Sequence, residues 1–287
     1  MSRQSIQAPP ATPPIYSLLK AAVLVEDGGR WQQGIQWSPE QVNGGGTIAV
    51  DCVGNSPDGK DPASNPVINS ADPFTIFAED HCSTIGFEDR DFEGRARRQL
   101  ASVQSALVAH ELQFGTQAGL AGGGTNVALI DAIELGPGSQ PIEDAIGILE
   151  AALAETFAGA RCMIHVTVQA FDLMMAAKLV YLSGMQWLTG VGNIVVADAG
   201  YTAETSPEGA VYAYGTSLVQ IRLSPVDLVP GSFAEALAQM TDHSVNSIIL
   251  YAERLALVQF DHDNASEGAA DLLFKIELDI PPWHVGS

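Results

Sequence analysis

The sequence predicts an α+β fold on three observations: one long helical segment at 91–114, an alternation of helices and strands over 141–197, and a last third with strand patterning. In the helical segment Asp91 is suited to an N-cap and Gly115 stands where a C′ glycine belongs. Leu100, Val103, Leu107 and Phe114 recur at helical spacing, which predicts one stripe turned to the core. About 24 residues at 1.5 Å rise make a rod of ~36 Å, long enough to be the spine of a domain.

The other elements follow in chain order. Residues 1–14 carry four prolines and almost nothing to bury, which predicts an arm rather than part of a core. Over 31–69 turn signals (QVNGGGT, NSPDGKDPASNP) separate short apolar pieces at 34–37 and 47–53, the pattern of a long excursion containing a β-hairpin. Strands are expected at 73–78 and 84–87, leading back to the body and into the long helix. Gly122, Gly123 and Gly124 mark a joint. A helix at 141–158, a strand at 162–166, a helix at 168–182 capped by Thr167 and a strand at 193–197 then form a compact α/β unit. Strands at 211–214, 218–223 and 247–260 and a short helical piece at 233–240 complete the body. The segment 247–260 is apolar on both alternating faces except at Glu253, Arg254 and Gln259, as a strand covered on both sides would be. From Asp271 onward a tail is expected, and no internal repeat is visible.

Composition narrows the function. A chain of 287 residues that is 46% hydrophobic buries a sizeable core, and 16% charged residues are few for a solitary soluble protein, which suggests surface covered by other subunits. The net charge of −21, from 34 acidic and 13 basic residues, argues against a general nucleic-acid binder. No apolar run reaches the roughly 20 residues that cross a bilayer, and the start has no signal-peptide core, so synthesis and retention in the cytoplasm are expected. Cys52, Cys82 and Cys162 have no CxxC spacing; a Cys52 to Cys82 bridge is open, but neither a disulfide framework nor a zinc site is indicated.

The chemical motifs are incomplete. His110-Glu111 begins a zinc-protease pattern, but the position of the second imidazole holds Phe114. The triple glycine has no following lysine and so lacks the phosphate-binding fingerprint. Asp261, Asp263 and Glu267 lack the glycine pattern of a calcium loop and read as a solvated acidic loop. No GxSxG elbow accompanies Asp198, which follows the strand at 193–197. No cofactor or metal is implied.

Two groups remain as candidate contact residues. Arg90, Arg95, Arg97 and Arg98 crowd the start of the long helix, where cations oppose the helix dipole. Asp89, Asp91 and Glu93 offer compensation within the chain, and an acidic edge of a neighbouring subunit offers it from outside. Trp31, Trp37 and Trp283 lie in the excursion and tail, where aromatic anchors serve contacts between subunits or pack back on their own chain; Trp187 lies within the α/β unit.

The order of these parts resembles the major capsid proteins of tailed bacteriophages, the Hong Kong 97-type capsid fold, and more specifically structural proteins of phages infecting actinobacteria. DPFTIFAEDHCSTIGFEDRDFEGRARRQLASVQSALVAHELQFG is similar to the end of the extended hairpin loop running into the spine helix. RCMIHVTVQAFDLMMAAKL with GNIVVADAGY is similar to the strand, helix and strand of the axial domain, and VNSIILYAERLALVQFD to a late peripheral strand. The resemblance implies an N-terminal arm (1–30), an extended hairpin loop with return strands (31–89), a peripheral domain with the spine helix (90–125 and 224–270), an axial domain (126–223) and a C-terminal tail (271–287). It also implies self-assembly into hexamers and pentamers of an icosahedral head around double-stranded DNA, built in the host cytoplasm and found in the virion. Partners implied are further copies, a portal, a separate scaffolding protein and a decoration protein; packaged DNA would be met only through weak non-specific proximity. The cross-link that some members form between lysine and asparagine has no matching motif here. Competing readings are an encapsulin-type nanocompartment shell, a minor head or decoration protein, and an α/β hydrolase or transferase with its site near Asp198.

Overall fold

The computed structural model describes residues 16–26, 30–39, 68–83, 91–117, 126–205, 208–232, 234–236, 240–242, 247–262 and 272–280. In chain order the elements are α1 (Leu18–Ala21), β1 (Val23–Glu26), β2 (Ile35–Trp37), β3 (Asn69–Ala71), β4 (Phe74–Ser83), α2 (Phe92–Phe114), β5 (Ile133–Glu134), α3 (Ile142–Thr156), β6 (Met163–Val166), α4 (Val168–Ala176), β7 (Val180–Ser183), β8 (Gln186–Thr189) and β9 (Ile194–Ala197). They continue as β10 (Glu204–Thr205), β11 (Glu208–Ala210), β12 (Tyr212–Thr216), β13 (Gln220–Leu223), β14 (Asp227–Val229), β15 (Thr241–Asp242), β16 (Ser247–Gln259) and β17 (Phe274–Glu277). Among them no helix is long and apolar enough to cross a membrane.

Two sheets organise the molecule. The first has seven strands in the order β5-β17-β12-β6-β9-β8-β7, with β6 and β9 parallel. Its side chains alternate strictly, as the two-residue period of a strand requires. Ile164, Val166, Val195, Ala197 and Ala213 pack with Leu149, Leu153 and Phe171 of α3 and α4. Met163, Ile194, Val196, Tyr212 and Tyr214 face the other way, into the core that contains α2. In the second sheet the 13-residue β16 is central. β4 runs along one edge from Phe74 opposite Ala256 to Ser83 opposite Ser247. The other edge is shared in succession by β13, β14 and β15, and β1 lies parallel on β13.

α2 has the predicted caps: the Asp91 side chain accepts from Gly94 N at 2.8 Å, and Gly115 is left-handed at φ 61°. Its expected stripe needs correction. Leu100 is buried and Phe114 half-buried, but Val103 and Leu107 are 40% and 38% exposed. Successive residues advance by about 100°, and the covered side rotates along the rod. Phe92, Ala96 and Leu100 are buried in the first half, whereas Ser105, Val108, Ala109 and Leu112 on other faces are buried in the second. One unbroken apolar stripe therefore runs off the surface that covers its beginning.

Other expectations also shift. The helix from Val168 ends at Ala176, not Leu182, because Lys178 takes a left-handed φ of 59° and the Leu179 and Lys178 N–H groups bond to Met174 and Met175 oxygens at 3.0 and 3.1 Å. This is a Schellman stop with lysine in the place usually held by glycine. Residues 180–189 are consequently the β7–β8 hairpin. The strand expected at 73–78 continues to Ser83, while the one at 84–87 lies outside the described residues. The expected tail contains β17, which sits between β12 and β5 with Leu273 and Ile276 fully buried. Outside the described residues lie the arm at 1–14, the piece at 47–53, the glycine joint at 122–124, Cys52, Asp263 and Glu267; nothing is described of the Cys82 side chain, and so nothing of a Cys52 to Cys82 bridge. Cys162 is a free, buried thiol, pushed by burial up to about 12.

Candidate functional site

The arginine-rich start of α2 is largely answered from within the chain. Arg95 Nη2 donates to Asp80 Oδ1 on β4 at 2.7 Å; the Asp80 side chain is 2% exposed. Burial pushes the Asp80 carboxyl above the usual range, against the downward pull of the Arg95 guanidinium. Arg98 Nη1 donates to Asp91 Oδ2 at 3.1 Å, and Asp91 is held below its usual value first by the Gly94 N–H and then by Arg98. Arg97 Nη1 donates to Val226 O at 2.9 Å, which caps a carbonyl between β13 and β14. Arg90 lies outside the described residues. The compensating carboxylates are thus Asp91, foreseen from sequence neighbours, and Asp80, which only the β4 pairing brings alongside.

Trp31 and Trp37 hold the β2–β3 pair. β2 and β3 pair antiparallel, Ile35 opposite Ala71 and Trp37 opposite Asn69. Trp31 is buried with Ala71 and with Leu257 of β16. The Trp37 indole donates to Asp261 Oδ1 at 3.0 Å and stands edge-on to the His262 ring at 5.8 Å. Both rings fasten the β2–β3 pair to the end of β16 and the residues just after it. Trp283 lies outside the described residues.

Asp198 is a structural clamp by geometry. Its Oδ2 accepts from Ser105 Oγ on α2 at 2.7 Å and from Leu18 N at the start of α1 at 2.9 Å, and its Oδ1 from Gly200 N at 3.2 Å. The imidazole nearest in kind, His165, is fully buried and spends both nitrogens elsewhere, Nδ1 with Tyr201 Oη at 2.8 Å and Nε2 with Thr216 Oγ1 at 2.9 Å. Burial lowers His165 to about 3, so it stands neutral. Ser105 is bonded to a carboxylate with no imidazole between them, which does not make the base-activated hydroxyl of a triad. Among the described residues no cluster of His, Cys, Asp and Glu is arranged to hold a metal ion.

Two buried polar hubs escaped the sequence reading. Lys275 on β17 pairs with Glu204 at 3.2 Å, donates to Ile130 O at 3.0 Å and lies 4.7 Å over the Tyr212 ring. Tyr214 Oη donates to Glu204 at 2.8 Å and accepts from Gln113 Nε2 at 3.1 Å, so the last turn of α2 is tied to the seven-stranded sheet. Arg254, in the middle of β16, donates to Ser224 O at 2.7 Å, Gln104 Oε1 on α2 at 3.3 Å and Glu26 Oε1 on β1 at 3.2 Å. These hubs join α2 to both sheets, and the groups in them lie 10 to 228 residues apart in sequence.

No family model and no curated protein matches the chain. Solved structures do. The capsid of an empty GTA particle, computed with C5 symmetry, is 12% identical, covers 97% of this chain and 95% of its own, and has a TM-score of 0.55. Microbacterium phage Oxtober96 matches at 12% identity over 97% and 96% of the two chains, with a TM-score of 0.55. The capsid of Ralstonia phage GP4 matches at 8% identity over 98% and 96%, with a TM-score of 0.56. The identities are low while each alignment covers almost the whole of both chains, and the fold of this chain is accordingly α+β, the Hong Kong 97-type fold seen in those capsid structures.

Proposed function

We propose that the chain is the major capsid protein of a tailed bacteriophage, assembling through hexamers and pentamers into an icosahedral head around double-stranded DNA. The observation that carries the reading is the match over almost the whole chain: 97% of this chain aligned with 95% of a GTA-particle capsid chain. The solved chains with this fold named above are phage and GTA-particle proteins, which supports a capsid over a cargo-holding compartment. In this reading α2 is the spine of a peripheral domain built on β16, and the seven-stranded sheet with α3 and α4 is the axial domain. The same reading assigns 31–89 the role of the extended loop that contacts a neighbouring copy, with Trp31 and Trp37 holding the β2–β3 pair to β16.

Assembly of this kind rests on many weak contacts per copy, each strengthened by the others once a ring closes. Arg97 and Arg98 are exposed and remain the members of the basic cluster available to a neighbour's carboxylates. A net charge of −21 suits a wall past which packed DNA slides without adhering. A portal, a separate scaffolding protein and a decoration protein are the partners this role calls for, and the virion is its location. Cryo-electron microscopy of the expressed chain, alone and with its scaffolding partner, tests the reading. Closed shells with five-fold and six-fold clusters are expected; a chain that stays monomeric under every assembly condition would falsify it.

A further inference from the structure

The face of the second sheet that turns away from α2 is covered at one end. There Leu255 and Leu257 of β16 pack with Trp31 and with Ile35, Trp37 and Ala71 of the β2–β3 pair. Alternation along the strand brings Tyr251 and Glu253 to the same face. At that end the face is open: Phe77 is 54% and Val229 39% exposed, and Glu79 and Asp227 are exposed as well.

Register fixes the layout of the open end. Glu79, Tyr251 and Val229 form one row across β4, β16 and β14, and Phe77, Glu253 and Asp227 form the next. Neighbouring strands lie about 4.8 Å apart, and the rows are separated by two residues, roughly 7 Å, along the strands. Phe77 and Tyr251 therefore meet on a diagonal, edge-on, with ring centroids 5.9 Å apart. Carboxylates surround this aromatic pair. Asp227 and Glu253 are directly opposite, the arrangement in which like charges destabilise a sheet. Glu79 has His81 at 3.2 Å, whereas neither Asp227 nor Glu253 has a cationic partner among the described residues. Charges held against each other in this way are expected where function, not stability, keeps them.

We propose that the open end of β4, β14 and β16 docks an arginine-bearing segment of a partner protein. Arginine suits the surface twice over: its planar guanidinium stacks on aromatic rings and binds carboxylate oxygens in pairs. Charge selects the class of occupant. Nucleic acid and anionic lipid are repelled by Glu79, Asp227 and Glu253 on a chain of net charge −21. Among the described residues no cluster is arranged to hold a metal ion, and an ion would leave Phe77 and Val229 in water. A peptide segment covers those side chains while its cations meet the carboxylates. The open end belongs to the single subunit, so docking there does not depend on the shell reading.

The test adds a short synthetic peptide, arginine alternating with leucine, to the full chain, with glutamate replacing arginine in a control peptide. Titration calorimetry at low salt is expected to show binding of the arginine peptide and none of the control. Asp227→Asn together with Glu253→Gln is expected to weaken binding by about tenfold or more. Glu155→Gln with Asp172→Asn, exposed carboxylates on α3 and α4, is expected to change it by less than about twofold. The melting temperature of the Asp227 and Glu253 variant should equal or exceed that of the wild type, because the facing charges are gone. If that variant melts earlier, Phe77→Ser takes its place, and unchanged binding by it overturns the proposal. Equal weakening by both carboxylate pairs reveals attraction to net charge alone and overturns it too. So does loss of self-association in place of peptide binding, read by sedimentation, which gives the face to a second copy.

Discussion

The start of α2 and the β7–β8 hairpin use their side chains in opposite ways. At the helix start, charged groups that look made for a partner are mostly consumed at home: Arg95 by Asp80, Arg98 by Asp91, Arg97 by the Val226 carbonyl. At the hairpin, residues 179–194 carry no charge and Tyr181, Leu182 and Met185 are exposed. Charge at the helix start therefore serves the subunit's own packing, with Arg97 and Arg98 still exposed, while the hairpin leaves apolar side chains in solvent. Changes at internal joints should damage folding, and changes at the exposed hairpin side chains should leave it intact.

The largest folding effect is expected at Gly200, where α2 and the turn after β9 touch backbone to backbone. A Cβ there would lie 2.0 Å from Ala106 O and 2.7 Å from His110 N. Gly200→Ala should cost more than about 3 kcal/mol in denaturant unfolding of the unassembled subunit, since no flexible side chain can give way. Next is Arg95→Leu, which leaves the buried Asp80 carboxylate without its cation. A loss of about 2 kcal/mol is expected, less than for a fully buried pair because Arg95 is partly solvated. Adding Asp80→Asn to that variant should recover part of the loss in a double-mutant cycle.

His165 sharpens the comparison through pH. Its folded value of about 3 lies below the ordinary 6.5, so the unfolded chain takes up a proton first as pH falls. Its contribution is complete above pH 6.5 and is lost on the way down towards 3, with a slope of about 1.4 kcal/mol per pH unit. His165→Gln should flatten the stability profile by that slope between those limits, and an unchanged profile would contradict a buried neutral ring. The smallest folding effect belongs to Arg98→Glu: its partner Asp91 is open to water, so the melting temperature of the subunit should barely move, whatever happens to assembly.

Much of the fold was legible because it is local. Asp91 and Gly115 bound α2 as their types predict, Thr167 caps α4 by accepting from Ala170 N, and the apolar run at 247–260 is the central strand β16. What failed depended on distant partners or on a residue of the wrong type. Lys178 ends α4 in a conformation usually given to glycine, which hid the β7–β8 hairpin even though Ser183-Gly184 is a turn signal. β17 looked like a tail because its partners, β12 and β5, are more than 50 residues away. The stripe on α2 was read correctly as apolar, but its covering changes along the rod. For the candidate site the signal was weaker still: Asp80 meets Arg95 only through the ten-residue pairing of β4 with β16, and the sequence offers no sign that Tyr181 and Leu182 lie uncovered.

Hydrogen exchange of the assembled and unassembled chain, compared peptide by peptide, tests the central claim most directly. The account predicts that the peptides around Trp31, Asp80 and Arg95 are protected equally in both states. Slowed exchange on assembly around Asp80 and Arg95 would contradict it.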